Sequence, residues 1–341
     1  MLTIHVATAF DDRMAVAGLV LAKSIAGHAK AERAVVLHVL YTNQDKSLSR
    51  ALARLTRPNF TCVLHDPGND YAQYEFREPF TRATLFRLTL STLLPEISKV
   101  IYLDADTIVL RDLAELYDLA IPNLPLAAMP DYPLYYYELL SPIATGTINQ
   151  PAISYLTKRL NLTYDSPESY FNSGVMLINL NYWRSHDTAG DCCRILEANR
   201  NLHWADQDAL NIACNGRYQP IDSRWNAFAG KCRQPSPYGT FPALAALQQI
   251  WSKDPWIVHY SSNHKPWRAD HLRTIHDWRF WREAVTICEG RELMQKFMTA
   301  TLRGSRIQLP RFGRQPVVLE DPPNPKATPS GVMQNPGRSP L

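Results

Sequence analysis

Two carboxylates one residue apart, Asp104 and Asp106, close the apolar run Val100-Ile101-Tyr102-Leu103. On an extended backbone, side chains at i and i+2 point the same way, so the pair can converge on one cation. A hard divalent metal holding a phosphate suits such a pair. The same spacing recurs in Asp206-Gln207-Asp208, where the ordinary reading is a turn or a helix cap. Position separates the two. Val100 to Leu103 reads as a strand buried on both faces, and open α/β sheets bind ligands beyond the carboxyl ends of such strands.

The elements that must hold this pair alternate along the chain. Leu2 to Ala9 reads as a first strand, Met14 to Ile25 as a helix, Val35 to Tyr41 as a second strand, Leu48 to Leu55 as a helix and Thr61 to Leu64 as a short third strand. This alternation predicts an α/β fold with a parallel, doubly wound sheet. A helix is expected over Thr81 to Leu94, with Thr81 as N-cap and Pro95 as stop, and another near Leu113 to Tyr117. Pro122 to Pro151 is turn-rich and aromatic, and is expected to form a surface excursion. Its Tyr132, Tyr135, Tyr136 and Tyr137 suit a sugar face, although packing is the expected role for most of them. Gly174 to Leu180 reads as a strand, and Asp206 to Ala213 as the start of a helix with Asp206 as N-cap. Apolar residues recur at helical spacing from Phe280 to Leu302, interrupted by Gly290.

The 341 residues can bury a substantial core, and 45% hydrophobic with 20% charged residues is ordinary for a globular protein. A formal charge of +4 is too mild to argue for a nucleic-acid partner. Six basic residues against one acid, Glu292, lie between Arg291 and Arg314. They fit either peripheral contact with an anionic membrane or a capping helix with a solvated basic face. The six cysteines show neither CxxC pairs nor regular spacing, which argues against a zinc site or a disulfide framework. The opening MLTIHVATAF reads as a first strand and not as a signal peptide, and no window approaches a membrane span. A cytoplasmic location, peripheral on the inner face of the membrane, is the expectation. Eight prolines in residues 310–341 predict a disordered tail.

Five further segments surround the acidic pair: TAFDDRM after the first strand, FRLTL containing Arg87, YFNSGVMLINLNYWR at 170–184, ADQDALN at 205–211 and HYSSNHKPW at 259–267. In this order and at these distances the chain resembles glycosyltransferase family 8, the lipopolysaccharide galactosyl- and glucosyltransferases and their glycogenin relatives. The resemblance implies a GT-A, Rossmann-like fold, a UDP-sugar donor, Mn²⁺ (with Mg²⁺ as the alternative) and transfer with retention at the anomeric carbon. It assigns Asp104, Asp106 and His259 to the metal. A single imidazole beside two carboxylates tilts a site toward Mn²⁺.

The same resemblance assigns Thr8, Ala9, Asp11 and Asp12 to a uridine cradle, Arg87, Asp104 and Ala105 to the donor, and Ser262, His264 and Lys265 to its diphosphate side. Asp131, Asn172, Asp206 and Gln207 match residues that hold the donor sugar. Gln207 matches the side chain near the anomeric carbon. A neutral amide is a poor nucleophile, which favours front-face substitution with Gln207 steadying an oxocarbenium-like centre, a covalent intermediate on Asp206 being the alternative. Read alone, His259 is a packed histidine, Lys265 a surface charge and Arg87 a helix-surface ion pair. Two positions depart from the pattern. Arg13 stands in place of a small polar residue, and Ser262 in place of a glycine before Lys265-Pro266-Trp267.

The implied partners are a UDP-hexose and a glycan or lipid-linked oligosaccharide acceptor. The implied division is a transferase domain over 1–270, a basic amphipathic extension over 271–309 and a tail over 310–341. Two other readings stand beside this one: a haloacid dehalogenase-like phosphatase with Asp104 as nucleophile and Asp106 as general acid, and a non-catalytic interaction protein on the same fold. The first requires a later acidic pair after another apolar strand, and Asp206 and Asp208 follow no such strand.

Overall fold

The structure, a computed structural model, describes residues 3–42, 46–68, 70–74, 81–138, 141–145, 148–199, 201–232, 241–261, 265–268 and 274–287. Ser262, His264 and the basic stretch 291–314 lie outside these residues, as does the tail 310–341. The first half of the chain alternates as β1 (Ile4–Ala9), α1 (Ala15–His28), β2 (Val35–Leu40), α2 (Lys46–Ala53) and β3 (Phe60–His65). A 3-10 helical stretch (Arg82–Thr89) then runs into α3 (Leu90–Leu93), followed by β4 (Lys99–Leu103), β5 (Thr107–Val109), α4 (Ala114–Tyr117) and β6 (Leu126–Pro130). Next come the hairpin β7 (Pro142–Thr145) and β8 (Ile148–Pro151), the short α5 (Ala152–Ser154), β9 (Phe171–Asn179), α6 (Leu180–His186), α7 (Thr188–Ala198) and α8 (Ala205–Cys214). The last elements are β10 (Gln219–Pro220), β11 (Ala227–Phe228), α9 (Pro242–Lys253), β12 (Ile257–His259) and α10 (Ile275–Val285).

Seven strands form the main sheet in the order β10-β6-β9-β4-β1-β2-β3. Strands β3, β2, β1 and β4 are mutually parallel, as the alternation predicts, but β9 runs antiparallel to both β4 and β6. All nine β9 residues are buried. A strand covered on both faces carries no alternation, and its direction is invisible in the sequence. One face of the sheet packs Val6, Leu37, Ile101 and Leu103 against α1 and Phe280 of α10; the other packs Ala7, Tyr102 and Met176 against Phe86, Trp183 and Leu210. Each fully buried aliphatic side chain contributes about 1.5–3 kcal/mol of transfer free energy.

Three expectations for individual elements need correction. The stretch after Thr81 is 3-10 helical over Arg82–Thr89 and becomes α-helical only for Leu90–Leu93. The turn-rich excursion 122–151 contains β6, a fully buried strand of the main sheet. Helix α10 begins at Ile275, five residues before the apolar pattern suggested, because Thr274 and Asp277 form a reciprocal capping box there. Its Phe280 and Ala284 enter the core beside α1, and Glu283 pairs with Lys23 at 3.4 Å. The rest of the 280–302 pattern falls outside the described residues beyond Ile287.

A second, three-stranded sheet has the order β11-β12-β5. Its antiparallel register sets His259 opposite Thr107, and the Tyr260 N–H donates to the Asp106 carbonyl at 2.9 Å. This small sheet carries the end of the chain back to the acidic pair.

Candidate active site and metal centre

Leu103 ends β4, and the Asp104 N–H donates to the Gly174 carbonyl at 2.8 Å, which ties the acidic turn to β9. The Thr107 N–H and hydroxyl then donate to the Asp104 carbonyl at 3.1 and 2.8 Å, closing the turn that carries both carboxylates. His259 Nε2 lies 3.4 Å from Asp106 Oδ1 and 3.8 Å from Asp104 Oδ2. One ligand atom from each of the three residues falls within 4.8 Å of the others. Two hard carboxylates and one imidazole form a donor set for Mn²⁺ or Mg²⁺.

The surrounding backbone leaves room for an ion. A Cβ on Gly174 would stand 2.2 Å from His259 Cε1 and 2.9 Å from Asp104 Oδ2. Any side chain at this position would enter the space the three ligands enclose. The donor chemistry and this cradle both fit a divalent metal.

Lys265 Nζ donates to Asp106 Oδ2 and, at 2.5 Å, to the Tyr260 carbonyl. Burial by itself would raise the Asp106 carboxyl, but Lys265 and His259 beside it outweigh that and hold it well below the usual carboxylate range. Asp106 is therefore ionised and ready to bind a cation at any ordinary pH.

Arg87 is no surface residue. Its guanidinium is buried, lies 4.2 Å over the Tyr102 ring, and donates to Asp104 Oδ1 and to the Ser173 carbonyl, each at 2.7 Å. Burial works against its charge, and Asp104 with Asp206 more than restores it. Asp206 Oδ2 stands 3.0 Å from Arg87 Nε, yet that N–H points at the Thr84 carbonyl 3.1 Å away, so the carboxyl oxygen has charge proximity without an aligned hydrogen bond. Burial pushes the Asp206 carboxyl up to about 7, Arg87 opposing and Asp104 adding to the rise.

Asp206 does not cap α8 as its position suggested. The N-cap is Trp204, whose N–H donates to Asp208 at 2.8 Å. Asp208 turns away from the acidic pair, accepting from the Tyr155 and Tyr170 hydroxyls at 2.7 and 2.6 Å. Asp206 and Asp208 thus serve different neighbourhoods despite their shared spacing.

Gln207 Oε1 accepts from the Ser173 N–H and from Asn172 Nδ2, both at 3.0 Å. Asn172 Nδ2 also reaches Asp131 Oδ2 at 3.4 Å, so Asp131, Asn172 and Gln207 form one cluster beside Gly174. At the end of β1, Thr8 is fully buried with no partner for its hydroxyl among the described residues, and Ala9 follows. The Tyr41 hydroxyl donates to Asp12, while Arg13 claims the Asp11 carboxylate through its backbone N–H at 3.0 Å and its Nε at 3.2 Å. The departure at Arg13 therefore acts on a residue of the expected uridine cradle. Ala105 is buried between the two metal-facing acids.

Tyr132, Tyr135 and Tyr136 pack on one another, and Tyr135 also packs on Tyr164. Sequence reasoning passed over Asn226, which is fully buried and bonded to His259 Nδ1 at 2.9 Å. It also passed over Gly174 and Tyr102. Asn226 sits in Arg224-Trp225-Asn226-Ala227-Phe228 with no periodic signal to mark it.

The pattern that defines Glycosyl transferase family 8 matches residues 5–271. General stress protein A of Bacillus subtilis is 28% identical over 209 residues, covering 58% of this chain and 63% of that protein. The apo structure of the bifunctional glycosyltransferase WbbM superposes with a TM-score of 0.75 at 26% identity, over 87% of this chain and 52% of WbbM. The galactosyltransferase LgtC, solved with donor and acceptor sugar analogues, superposes with a TM-score of 0.67 at 25% identity, over 85% of this chain and all of LgtC. The chain thus spans just under two thirds of the stress protein and about half of WbbM.

Proposed function

The chain belongs to glycosyl transferase family 8, and from that premise we propose that it is a retaining hexosyltransferase moving galactose or glucose from a UDP-sugar to a glycan acceptor. The proposed acceptor is a lipopolysaccharide or other lipid-linked oligosaccharide, met on the cytoplasmic face of a membrane. The observation that carries the reading is the convergence of Asp104, Asp106 and His259 at the carboxyl end of β4. A divalent ion held by these three residues would supply Lewis-acid neutralisation of the leaving diphosphate.

The chain's own residues divide the remaining work. Lys265 brings an ammonium beside Asp106, where it can shift to a diphosphate oxygen and stabilise charge as UDP departs. Arg87 keeps one Asp104 oxygen occupied and so orients that carboxylate. Thr8 to Asp12, with Ala105, would border the nucleoside, and Asp131 and Asn172 the sugar hydroxyls. Gln207 would lie beneath the anomeric carbon. Its Oε1 already accepts two hydrogen bonds, which weakens it as a nucleophile and favours front-face substitution over a covalent adduct. Asp206, 2% exposed behind Arg87, is better placed to hold the guanidinium than to attack a sugar. Ser262 and His264 are proposed on the diphosphate side from their motif.

The phosphatase reading fares worse. It needs Asp104 free for in-line attack and a second acidic pair at a strand end, whereas Arg87 engages Asp104, and Asp208 of α8 is held by the Tyr155 and Tyr170 hydroxyls.

The test is UDP release from a panel of UDP-sugars with and without Mn²⁺, each with a short acceptor glycan. Metal-dependent release from one UDP-hexose is expected. Release that is indifferent to the metal, or absent from every UDP-sugar, contradicts the reading.

A further inference from the structure

We infer that Asn226 is a positioning residue for the metal centre, the middle link of a one-way chain of hydrogen bonds that engages His259 Nδ1 as a donor and turns Nε2 toward Asp104 and Asp106. The inference rests on the proposed metal role of Asp104, Asp106 and His259.

The direction of the chain is set by backbone. A backbone N–H can only donate. The Ser173 N–H meets Gln207 at 3.0 Å, so that end of the Gln207 amide is the oxygen. Asn172 meets the same oxygen at 3.0 Å and must present its NH₂ there. The Gly174 N–H, at 3.1 Å from the other end of the Asn172 amide, independently requires oxygen at that end. Asn226 approaches this Asn172 oxygen at 2.9 Å and must present its own NH₂. Its remaining oxygen faces His259 Nδ1 at 2.9 Å, and only a protonated Nδ1 satisfies it.

With Nδ1 committed to Asn226, His259 Nε2 is the atom that faces Asp106 and Asp104, and it is the one a metal ion would take. Asn226 is fully buried, so no solvent can repair a reversed amide. Flipping any link would set oxygen against oxygen, or N–H against N–H. The ring orientation that offers Nε2 to a metal is therefore set by two backbone amides of β9 before any ion arrives, and Gln207 is held by the same chain. Groups that orient a ligating histidine in this way commonly tune metal affinity.

The experiment uses the full chain, metal-free. Long-range proton-nitrogen correlation on ¹⁵N-histidine-labelled protein, with His259 assigned by loss of its signals in His259→Gln, should show Nδ1 protonated. Mn²⁺ titration followed by electron paramagnetic resonance should then show Asn226→Ala binding roughly 10–100-fold more weakly than wild type. Asn226→Asp keeps an acceptor toward Nδ1–H but sets oxygen against oxygen at Asn172, so it should weaken binding less than Asn226→Ala does. An unprotonated Nδ1, wild-type affinity in Asn226→Ala, or equal weakening in both variants would overturn the inference. Should Asn226→Ala fail to fold, the protonation of Nδ1 in wild type still decides. If wild type binds no Mn²⁺, the metal reading falls, and the tautomer measurement judges the hydrogen-bond chain by itself.

Discussion

His38 on β2 and His259 on β12 are both buried imidazoles with a hydrogen bond at each ring nitrogen or a charge close by, yet they sit in opposite surroundings. His38 lies between two other imidazoles, His5 at 3.1 Å and His65 at 3.0 Å, which carry the ladder across three parallel strands. Burial, with the two neighbouring histidines adding to it, pushes His38 down to about 3. It is a neutral link between strands. His259 has a buried amide on one side and two carboxylates on the other, and the missing side chain of Gly174 keeps a Cβ from colliding with His259 and Asp104. A buried histidine is thus a weak sign of a site. Convergence of opposite and complementary groups on an open volume is the stronger one.

Substitutions can break or sharpen that contrast. The largest effect is expected from Asp106→Ala, which should lower metal-dependent transfer by about 10³-fold while the melting temperature stays close to that of wild type. Near-normal UDP release from this variant would remove the acidic pair from the chemistry. Next is Asp208→Ala, which strands two buried tyrosine hydroxyls. It should cost about 3 kcal/mol in urea unfolding and leave Mn²⁺ affinity unchanged. A loss of metal affinity at unchanged stability would reverse the roles given to the two aspartates of α8.

The histidine ladder predicts a pH effect of its own. His38 is held below its unfolded value, so the unfolded chain takes up a proton that the native state refuses. Stability is complete above about pH 6.5 and is lost as pH falls toward 3, about 2 kcal/mol of it between pH 7 and pH 5. His38→Gln should flatten that slope in paired unfolding curves, and an unchanged slope would locate the acid sensitivity elsewhere. The smallest effect is expected at the exposed ion pairs of Arg194 with Asp187 and Asp191. There Arg194→Ala should leave the urea unfolding midpoint indistinguishable from that of wild type, because solvent and salt screen an exposed pair.

The parts legible in the sequence were those whose signal is local. Val100 to Asp106 joins an apolar strand to its carboxylates within seven residues, and the strand-helix alternation of β1 to β3 announces parallel pairing. His259 lies some 150 residues downstream and reaches the acids only through the β5-β12 register; its role came from the resemblance of its segment, not from periodicity. Asn226 gave no signal, because a buried asparagine reads as a turn residue until its partners are known. Strand β6 was hidden among Pro122, Pro125, Pro130 and Pro133, which mark turns on either side of a short strand. Asp206 looked like a cap because its type and place fit one, but Asp208 does that work from inside the first turn.

The most direct test of the central claim is an anomalous difference map from a crystal of the full chain grown with Mn²⁺ and UDP. The account predicts a manganese peak enclosed by the Asp104 and Asp106 carboxylates and His259 Nε2, with the diphosphate against it. Bound UDP with no peak at those three residues, or a peak held by other side chains, would contradict it.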